Sequence, residues 1–230
     1  MILLISNIAN EAAPAWINSL PAGAVSLITA SDFNRSFKGE ILVNKFSTSS
    51  LVINGVKRTP NDITGVIATI PGFSPIEFYY INPADRDYVC SEVNSFVNYF
   101  LSELKCKKVN PPTRRSFCGV PSQRIEWVKI AQKLTIPVQT FVMKNGKCVY
   151  PAQDDECRTI ACTMINNRII ENDVNERVHK YVELLAKEFS LPYLTCYFST
   201  TDNKEFFLLD INGIPNIAVS QHRDAILNYF

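Results

Sequence analysis

Residues 191–215, LPYLTCYFSTTDNKEFFLLDINGIP, constrain the fold more than any other stretch of the chain. They read as two strands, Leu194 to Thr200 and Glu205 to Ile211, joined by the polar turn Thr201-Asp202-Asn203-Lys204. The first strand is rich in β-branched and aromatic residues. The second is almost wholly apolar, which predicts burial on both faces. Its end, Asp210-Ile211-Asn212-Gly213, sets a carboxylate and an amide oxygen two residues apart. Strand residues at i and i+2 share a face, so both oxygens point the same way at the mouth of a sheet. That arrangement suits a hard cation such as Mg²⁺. It equally suits a buried strand that ends in an ordinary Asp/Asn/Gly turn.

Upstream, Ile2 to Ser6 predicts a buried strand. Asn10 to Leu20 predicts a helix capped by Asn10 and stopped by Pro21, and Ala24 to Thr29 a second strand. Leu51 to Ile53 and Val56-Lys57 flank Asn54-Gly55, a strong hairpin signal, and Thr59-Pro60-Asn61-Asp62 is turn chemistry. Ile63 to Ile70 is another buried strand. Ala84 to Leu104 places Val89, Val93, Phe96, Val97, Phe100 and Leu104 on one helical stripe. Cys106 to Val109 comes next as a short strand. The β-α-β order predicts an open α/β sheet. Ser122 to Leu134 reads as a helix capped by Ser122. A short hairpin is expected around Lys144-Asn145-Gly146-Lys147. Arg158 to Met164 turns through Asn166-Asn167 into Arg168 to Glu171. Asn175 to Phe189 is a helix with Val178, Val182, Leu185 and Phe189 inward.

The totals exclude several classes. A net charge of +1 does not favour a polyanionic partner, so no nucleic acid is expected. The lack of an apolar run of about 18 residues predicts no membrane-spanning helix. MILLIS reads as a buried strand rather than a secretory leader, and a cytoplasmic location is expected. Seven cysteines without a C-x-x-C pair suit free thiols in a reducing compartment. Two histidines, His179 and His222, leave little for a His-based metal site or triad, and His222 beside Asp224 reads as a surface residue. Trp16 and Trp127 read as core, and Glu183 and Glu188 as a charged helix face. Arg114, Arg115 and Arg124 cluster around the start of the Ser122 helix. They suit either a solvated loop or an anion held at a helix N-terminus.

The order of these pieces resembles the ATP-grasp ligases. The likeness is to the branch that modifies ribosomal peptides (microviridin-like) and to related amino-acid ligases. Asn110-Pro111-Pro112, then a helix containing Ala131, then Thr135-Ile136-Pro137-Val138-Gln139-Thr140 is similar to that branch's N-P-P, helix and G-[IL]-x-V-P-x-T succession. Gln123-Arg124 stands where Asn-Lys is usual, and the last turn is one residue short. The terminal hairpin resembles the family's E-x-N ending, with Asp210 on the Glu and Asn212 on the Asn, and Arg158 matches an Arg at a strand start. The resemblance implies a pre-ATP-grasp-like α/β domain over 1–108 and a linking strand and helix over 109–140. Residues 141–230 would then be a reduced ATP-grasp-like α+β domain lacking most of the first lobe. It implies ATP and Mg²⁺ as cofactors, with Asp210 and Asn212 on the metal and Arg124 and Arg158 near phosphates. It implies a peptide or small amino-acid substrate, and a dimer.

The departures from the family pattern shape the functional expectation. In a gapless superposition the hairpin's earlier acidic position falls on Tyr197, and a phenol is a poor Mg²⁺ ligand. Thr140 and Asn212 are only 72 positions apart, too few for a complete first lobe. The eight glycines are not clustered into a lid. Lys144 and Lys147, the nearest counterparts of the lobe-one Lys, read as hairpin-turn residues. With one lobe the adenine has no second wall, and without a lid water reaches any acyl phosphate. The expectation is a degenerate homologue that binds a peptide or partners a catalytic relative. The alternatives are an active minimal carboxylate–amine ligase using Mg²⁺, and an unrelated reaction in the cleft left between the halves.

Overall fold

The apolar strand at the N-terminus becomes the middle of a parallel sheet. In the computed structural model, which describes residues 1–32, 43–53, 55–119, 124–139, 142–144, 147–149, 158–171, 174–200 and 205–230, the chain divides into two compact units. One comprises Met1–Gly119 with Ile214–Phe230, the other Val120–Gly213. These divisions fall at Gly119 and Gly213, whereas the boundaries read from the sequence fall at 108 and 140. Asn54, Ser122 and Gln123, Thr140, Asn145-Gly146, Cys157 and the Thr201-Asp202-Asn203-Lys204 turn lie outside the described residues.

In the first unit, β1 (Ile2–Ile5) pairs in parallel with β2 (Val25–Ile28) on one side and β5 (Gly65–Ala68) on the other. A short β6 (Lys107–Lys108) extends the sheet beyond β5, giving the order β2-β1-β5-β6. Helix α1 (Ala12–Asn18) links β1 to β2 and buries Ala13 and Trp16. Asn10 accepts the Ala12 N–H at 3.2 Å, close to its expected capping role. The predicted hairpin forms as β3 (Leu51–Ile53) and β4 (Val56–Arg58), with Gly55 at φ +77° supplying the left-handed turn. Helix α2 (Arg86–Glu103) is preceded by a loop that holds a 3₁₀ turn, Pro75–Phe78. Val97, Phe100 and Leu101 of α2 join Leu3, Ile5, Val66 and Ala68 in one buried cluster, so the expected stripe faces the sheet. Asn94 of α2 clamps the loop by accepting the Phe73 N–H at 2.8 Å and donating to its carbonyl at 3.0 Å. Helix α5 (Ser220–Leu227) belongs to this unit, and His222 on it is buried rather than at the surface. The terminal Phe230 ring lies on Gly65, and Lys107 Nζ donates to the Tyr229 carbonyl at 3.1 Å.

The second unit opens with α3 (Arg124–Lys133) and a hairpin of β7 (Val142–Lys144) and β8 (Lys147–Val149). Its sheet runs β10-β9-β11-β12, all antiparallel: β9 (Arg158–Ile165), β10 (Arg168–Ile169), β11 (Tyr193–Thr200) and β12 (Phe206–Asn212). Asn166 and Asn167 carry φ +48° and +62°, the pair a two-residue hairpin turn demands. Residues 137–139 add a parallel edge: Leu208 N–H donates to the Pro137 carbonyl at 2.8 Å and Gln139 N–H to the Leu208 carbonyl at 3.0 Å. Helix α4 (Glu176–Phe189) starts at Asn175, whose side chain accepts the Arg177 N–H at 2.9 Å. It ends at Ser190 in the left-handed conformation. Val178, Val182 and Leu185 pack against Cys162, Met164, Leu194, Cys196, Phe198, Leu208 and Ile211, and Trp127 and Ala131 of α3 share that core. Lys133 pairs with Glu188 at 2.9 Å across the exposed rim. Strand β12 is not buried on both faces as its composition predicted. Phe206, Leu208 and Ile211 are buried, whereas Asp210 is exposed.

Five described cysteines are free thiols. Cys162 and Cys196 stand directly opposite each other on β9 and β11. The Thr163 N–H and carbonyl point away from β11, to Glu171 and Ile170. Cys162 therefore occupies a hydrogen-bonded rung, where Cα atoms lie about 5.5 Å apart and Cβ atoms exceed the roughly 3.5–4.5 Å a disulfide needs. Burial pushes the Cys118 and Cys162 thiols up to about 12 and Cys196 well above the usual range.

Two outcomes are expected. Unfolded thiols ionise near 9 and these folded ones near 12, so their stabilisation is full below pH 9 and is lost as pH rises toward 12. The urea midpoint should fall over that window, and native Cys118, Cys162 and Cys196 should resist iodoacetamide at pH 8. A Cβ at Gly65 would enter the Phe230 ring, so Gly65→Ala should cost about 1–3 kcal/mol in urea melts. In a Phe230→Ala background most of that cost should vanish, and an equal cost in both backgrounds would refute the contact.

Candidate functional site

The ladder between β11 and β12 decides where the predicted metal ligands point. Phe206, Leu208 and Phe198 occupy the core-facing side near the turn, with Phe206 opposite Thr200 and Leu208 opposite Phe198. Uninterrupted alternation would then send Asp210 into the α4 core. Instead the register shifts between Tyr197 and Phe198, leaving Leu209 as an extra residue. This β-bulge re-aims the side chains beyond it. Ile211 turns to the core opposite Cys196, while Asp210 and Asn212 turn to the other face opposite Tyr197 and Thr195. The two sequence-predicted oxygens do share a face, and Tyr197 sits on the same rung as Asp210.

That face carries more polar chemistry than the reading of Asp210 and Asn212 alone anticipated. Strand parity places Tyr193, Thr195, Tyr197 and Ser199 of β11 and Ala161 and Thr163 of β9 there. The buried Thr163 and Thr195 hydroxyls lie 3.1 Å apart, and Thr195 reaches the Tyr193 hydroxyl at 3.4 Å. Glu171 accepts the Thr163 N–H at 2.6 Å. Ser199 donates to Gln139 at 3.0 Å. The signal was available: in YLTCYFST every second residue is polar or a tyrosine, the period of a sheet with one apolar face.

The two predicted arginines stand apart from the oxygens. Arg158 pairs with Thr200 and has the parity of Ile160 and Cys162, the face that α4 covers. Arg124 begins α3 with its guanidinium 4.8 Å from the centre of the Trp127 ring, a cation–π contact one turn along. α3 packs on the same side of the sheet as α4. The sheet thus lies between the arginines and Asp210/Asn212.

A divalent cation would find one carboxylate, one amide and one phenol on the Tyr197–Asp210 rung and its neighbour. Among the described residues no cluster of three or more His, Cys, Asp or Glu is placed to hold a metal. These donors do not by themselves make a Mg²⁺ site, which normally draws on carboxylates together with water and substrate phosphates.

On the helix side, a groove of about 950 Å³ lies between the end of α3 and α4. Its walls include Leu134, Thr135, Asn175, His179, Lys180 and Glu183. The Nε2 of His179 is enclosed there without a hydrogen-bond partner.

No protein-family model matches the chain, and neither does any curated protein. Solved structures do. The macrocyclase MdnC of Microcystis aeruginosa MRC, bound with its precursor peptide MdnA, superposes with a TM-score of 0.74 at 11% identity, over 100% of this chain and 99% of that one. A RiPP-associated ATP-grasp ligase of Chryseobacterium gregarium, in complex with ADP and a leader and core peptide, gives 0.66 at 11% identity, over 97% and 93%. The ATP-grasp ligase PsnB with a minimal precursor, Mg and ADP gives 0.65 at 9% identity, over 93% and 89%. The parallel sheet, the antiparallel sheet with its bulged terminal hairpin and the near-complete superposition together mean that this chain has the fold of the ATP-grasp ligases.

Proposed function

We propose that the chain is a degenerate ATP-grasp homologue that binds a peptide or partners a catalytic relative, with weak or no ATP-dependent ligase activity of its own. The observation that carries the proposal is the Tyr197–Asp210 rung. Beside that rung a metal-bound nucleotide would meet one carboxylate and a neutral phenol, the low end of the one or two carboxylates that hold Mg²⁺ together with substrate phosphates. The separation of Arg158 and Arg124 from that face supports the same reading, because neither of these two would compensate phosphate charge there. So does the short run between Thr140 and Asn212, which favours a reduced first lobe.

Peptide binding is supported by the company the fold keeps: MdnC is bound with a precursor peptide, and the Chryseobacterium ligase with leader and core peptides. The groove beside α4, with Lys180 and Glu183 on its rim, offers both signs of charge to a peptide. One observation favours the alternative of an active minimal ligase, namely that the bulge does turn Asp210 and Asn212 to a common face.

Calorimetry with MgATP separates the two. The expected outcome is no saturable heat below about 1 mM. Micromolar, Mg²⁺-dependent binding that disappears in Asp210→Ala would establish the minimal ligase instead. Restoring the acid is the complementary test. Tyr197→Glu should tighten Mn²⁺ binding, read by paramagnetic resonance, at least about tenfold, or roughly 1.4 kcal/mol. Unchanged binding would mean that this rung is not where a metal would sit.

A further inference from the structure

The return strand of the Asn166-Asn167 hairpin stops well before β9 does. β9 pairs with β11 along its whole length, Arg158 through Ile165, without a break in register. β10 covers only the far end, at Met164 and Ile165, and one further bond follows, from the Ile170 N–H to the Thr163 carbonyl at 2.9 Å. There a side chain closes the ladder. Glu171 accepts the Thr163 N–H at 2.6 Å, in the role a strand carbonyl would fill. Backbone groups of successive strand residues point to alternate edges, so the N–H and C=O of Ala161 and Thr159 face the same way as those of Thr163. Among the described residues these groups meet no partner. Both residues are exposed.

An open edge is a template for another strand, and folded proteins ordinarily blunt it with lysine, proline, a bulge or a covering element. Between Arg158 and Cys162 this edge carries Thr159, Ile160 and Ala161, and its register with β11 is unbroken, so none of these devices protects it. The vacant lane continues the line of β10. A strand entering it antiparallel to β9, as β10 runs, would set its residues opposite Ala161, Ile160, Thr159 and Arg158 in turn. Its first and third residues would exchange main-chain bonds with Ala161 and Thr159. Its second would stand beside Ile160, which packs on the margin of the α4 core, and its fourth beside Arg158. Arg158 is exposed, and among the described residues no acid pairs with it. Cross-strand neighbours of like polarity or opposite charge stabilise a sheet, so the lane favours an apolar second residue and an acidic fourth. The β9 edge of a second copy fits poorly. Two such edges paired about Ile160 would bring the residue before each Arg158 onto the Thr163 rung, which Ile170 already fills.

We infer that the free edge of β9 binds an extended peptide as an added strand in the lane beyond Glu171, with an apolar residue beside Ile160 and a carboxylate beside Arg158. Main-chain bonds hold such a strand, and its alternate side chains select it. The peptide-binding reading of the chain underlies this assignment, which puts the peptide on the sheet edge rather than in the groove beside α4.

Amide spectra of the full chain, titrated with acetyl-Thr-Val-Thr-Glu-Ser-amide, test it. Before peptide is added, the Thr159 and Ala161 amides should exchange with solvent at least about tenfold faster than those of Ile160 and Cys162, which bond to β11. The peptide should then bind saturably at or below about 1 mM, shifting the Thr159 and Ala161 amides and slowing their exchange. N-methylation of either peptide threonine, whose N–H meets β9, should abolish binding, and N-methylation of the valine, whose N–H points away, should leave it. Ala161→Pro removes the outward donor and spares the β11 ladder, and should weaken the peptide at least about tenfold. Arg158→Gln should weaken this peptide and not its glutamine analogue. Should Ala161→Pro fail to fold, the N-methyl peptides decide. Protected Thr159 and Ala161 amides in the free chain, no saturable shift at them, or equal losses from all the N-methyl peptides would overturn the assignment. So would protection that grows with protein concentration alone, which would put a second copy on the edge. Saturable shifts at Thr135 and His179 instead would keep the peptide reading and remove the edge from it.

Discussion

The candidate site depends on one extra residue in one strand. Strand geometry has period two, so a one-residue shift exchanges every side chain between core and solvent. In β12 the buried positions are Phe206, Leu208 and Ile211, which no unbroken alternation can bury together. Leu209 absorbs the mismatch as a bulge opposite the Tyr197/Phe198 step. The core gains Ile211, and the charge of Asp210 reaches the open face. Without the bulge, a carboxylate would enter the cluster of Cys196, Phe198 and Val182 at a cost of several kcal/mol. Packing and site geometry are therefore two consequences of the same local insertion.

The two faces of this sheet obey different rules. Toward α4, aliphatic and aromatic side chains meet with two thiols that burial keeps neutral, and Tyr181 stacks on Phe198 at 6.3 Å between ring centres. Thiols suit that layer because they pack as small hydrophobes. On the opposite face, the buried Thr163, Thr195 and Tyr193 hydroxyls are tied into a chain by one another, and Glu171 accepts the Thr163 backbone N–H, which spares these groups the desolvation cost of an unmet donor. A rigid, satisfied polar platform of this kind serves equally well to hold a ligand or merely to support the strand. What distinguishes the functions is the charge that the platform presents.

Much of the architecture was legible in the residues. Asn54-Gly55 and Asn166-Asn167 announced hairpins because only small or amide side chains tolerate the left-handed turn. The α2 and α4 stripes announced their buried faces, and Asn175 its cap. The bulge was hidden because Phe206-Phe207-Leu208-Leu209 is apolar throughout, so nothing marks which residue is surplus. The separation of Arg158 from Asp210 was hidden for a related reason: parity across three strands depends on register, which single-strand patterns do not contain. His222 read as a surface residue because its neighbours are polar, yet its place on α5 turns it inward. Ser74-Pro75-Ile76-Glu77 has the pattern of a capping box, which forms, but the reach of Glu77 to the Ile8 loop depends on strand order rather than on spacing.

Electrostatic magnitudes explain why one side chain on the Tyr197–Asp210 rung outweighs the well-ordered geometry around it. Near a protein surface a unit charge pair about 4 Å apart is worth roughly 4 kcal/mol, and a divalent ion doubles that for each carboxylate. A phenol forfeits nearly all of it. Even after a several-fold discount for the exposure of Asp210, the deficit spans at least about a decade of affinity. Hydrogen bonds from the Thr163 and Thr195 hydroxyls cannot make up the difference, because a neutral hydrogen bond nets only about 1 kcal/mol in water. The fold does not depend on a metal at this rung, since the bulge, the ladder and the α4 core are indifferent to which side chain stands at position 197.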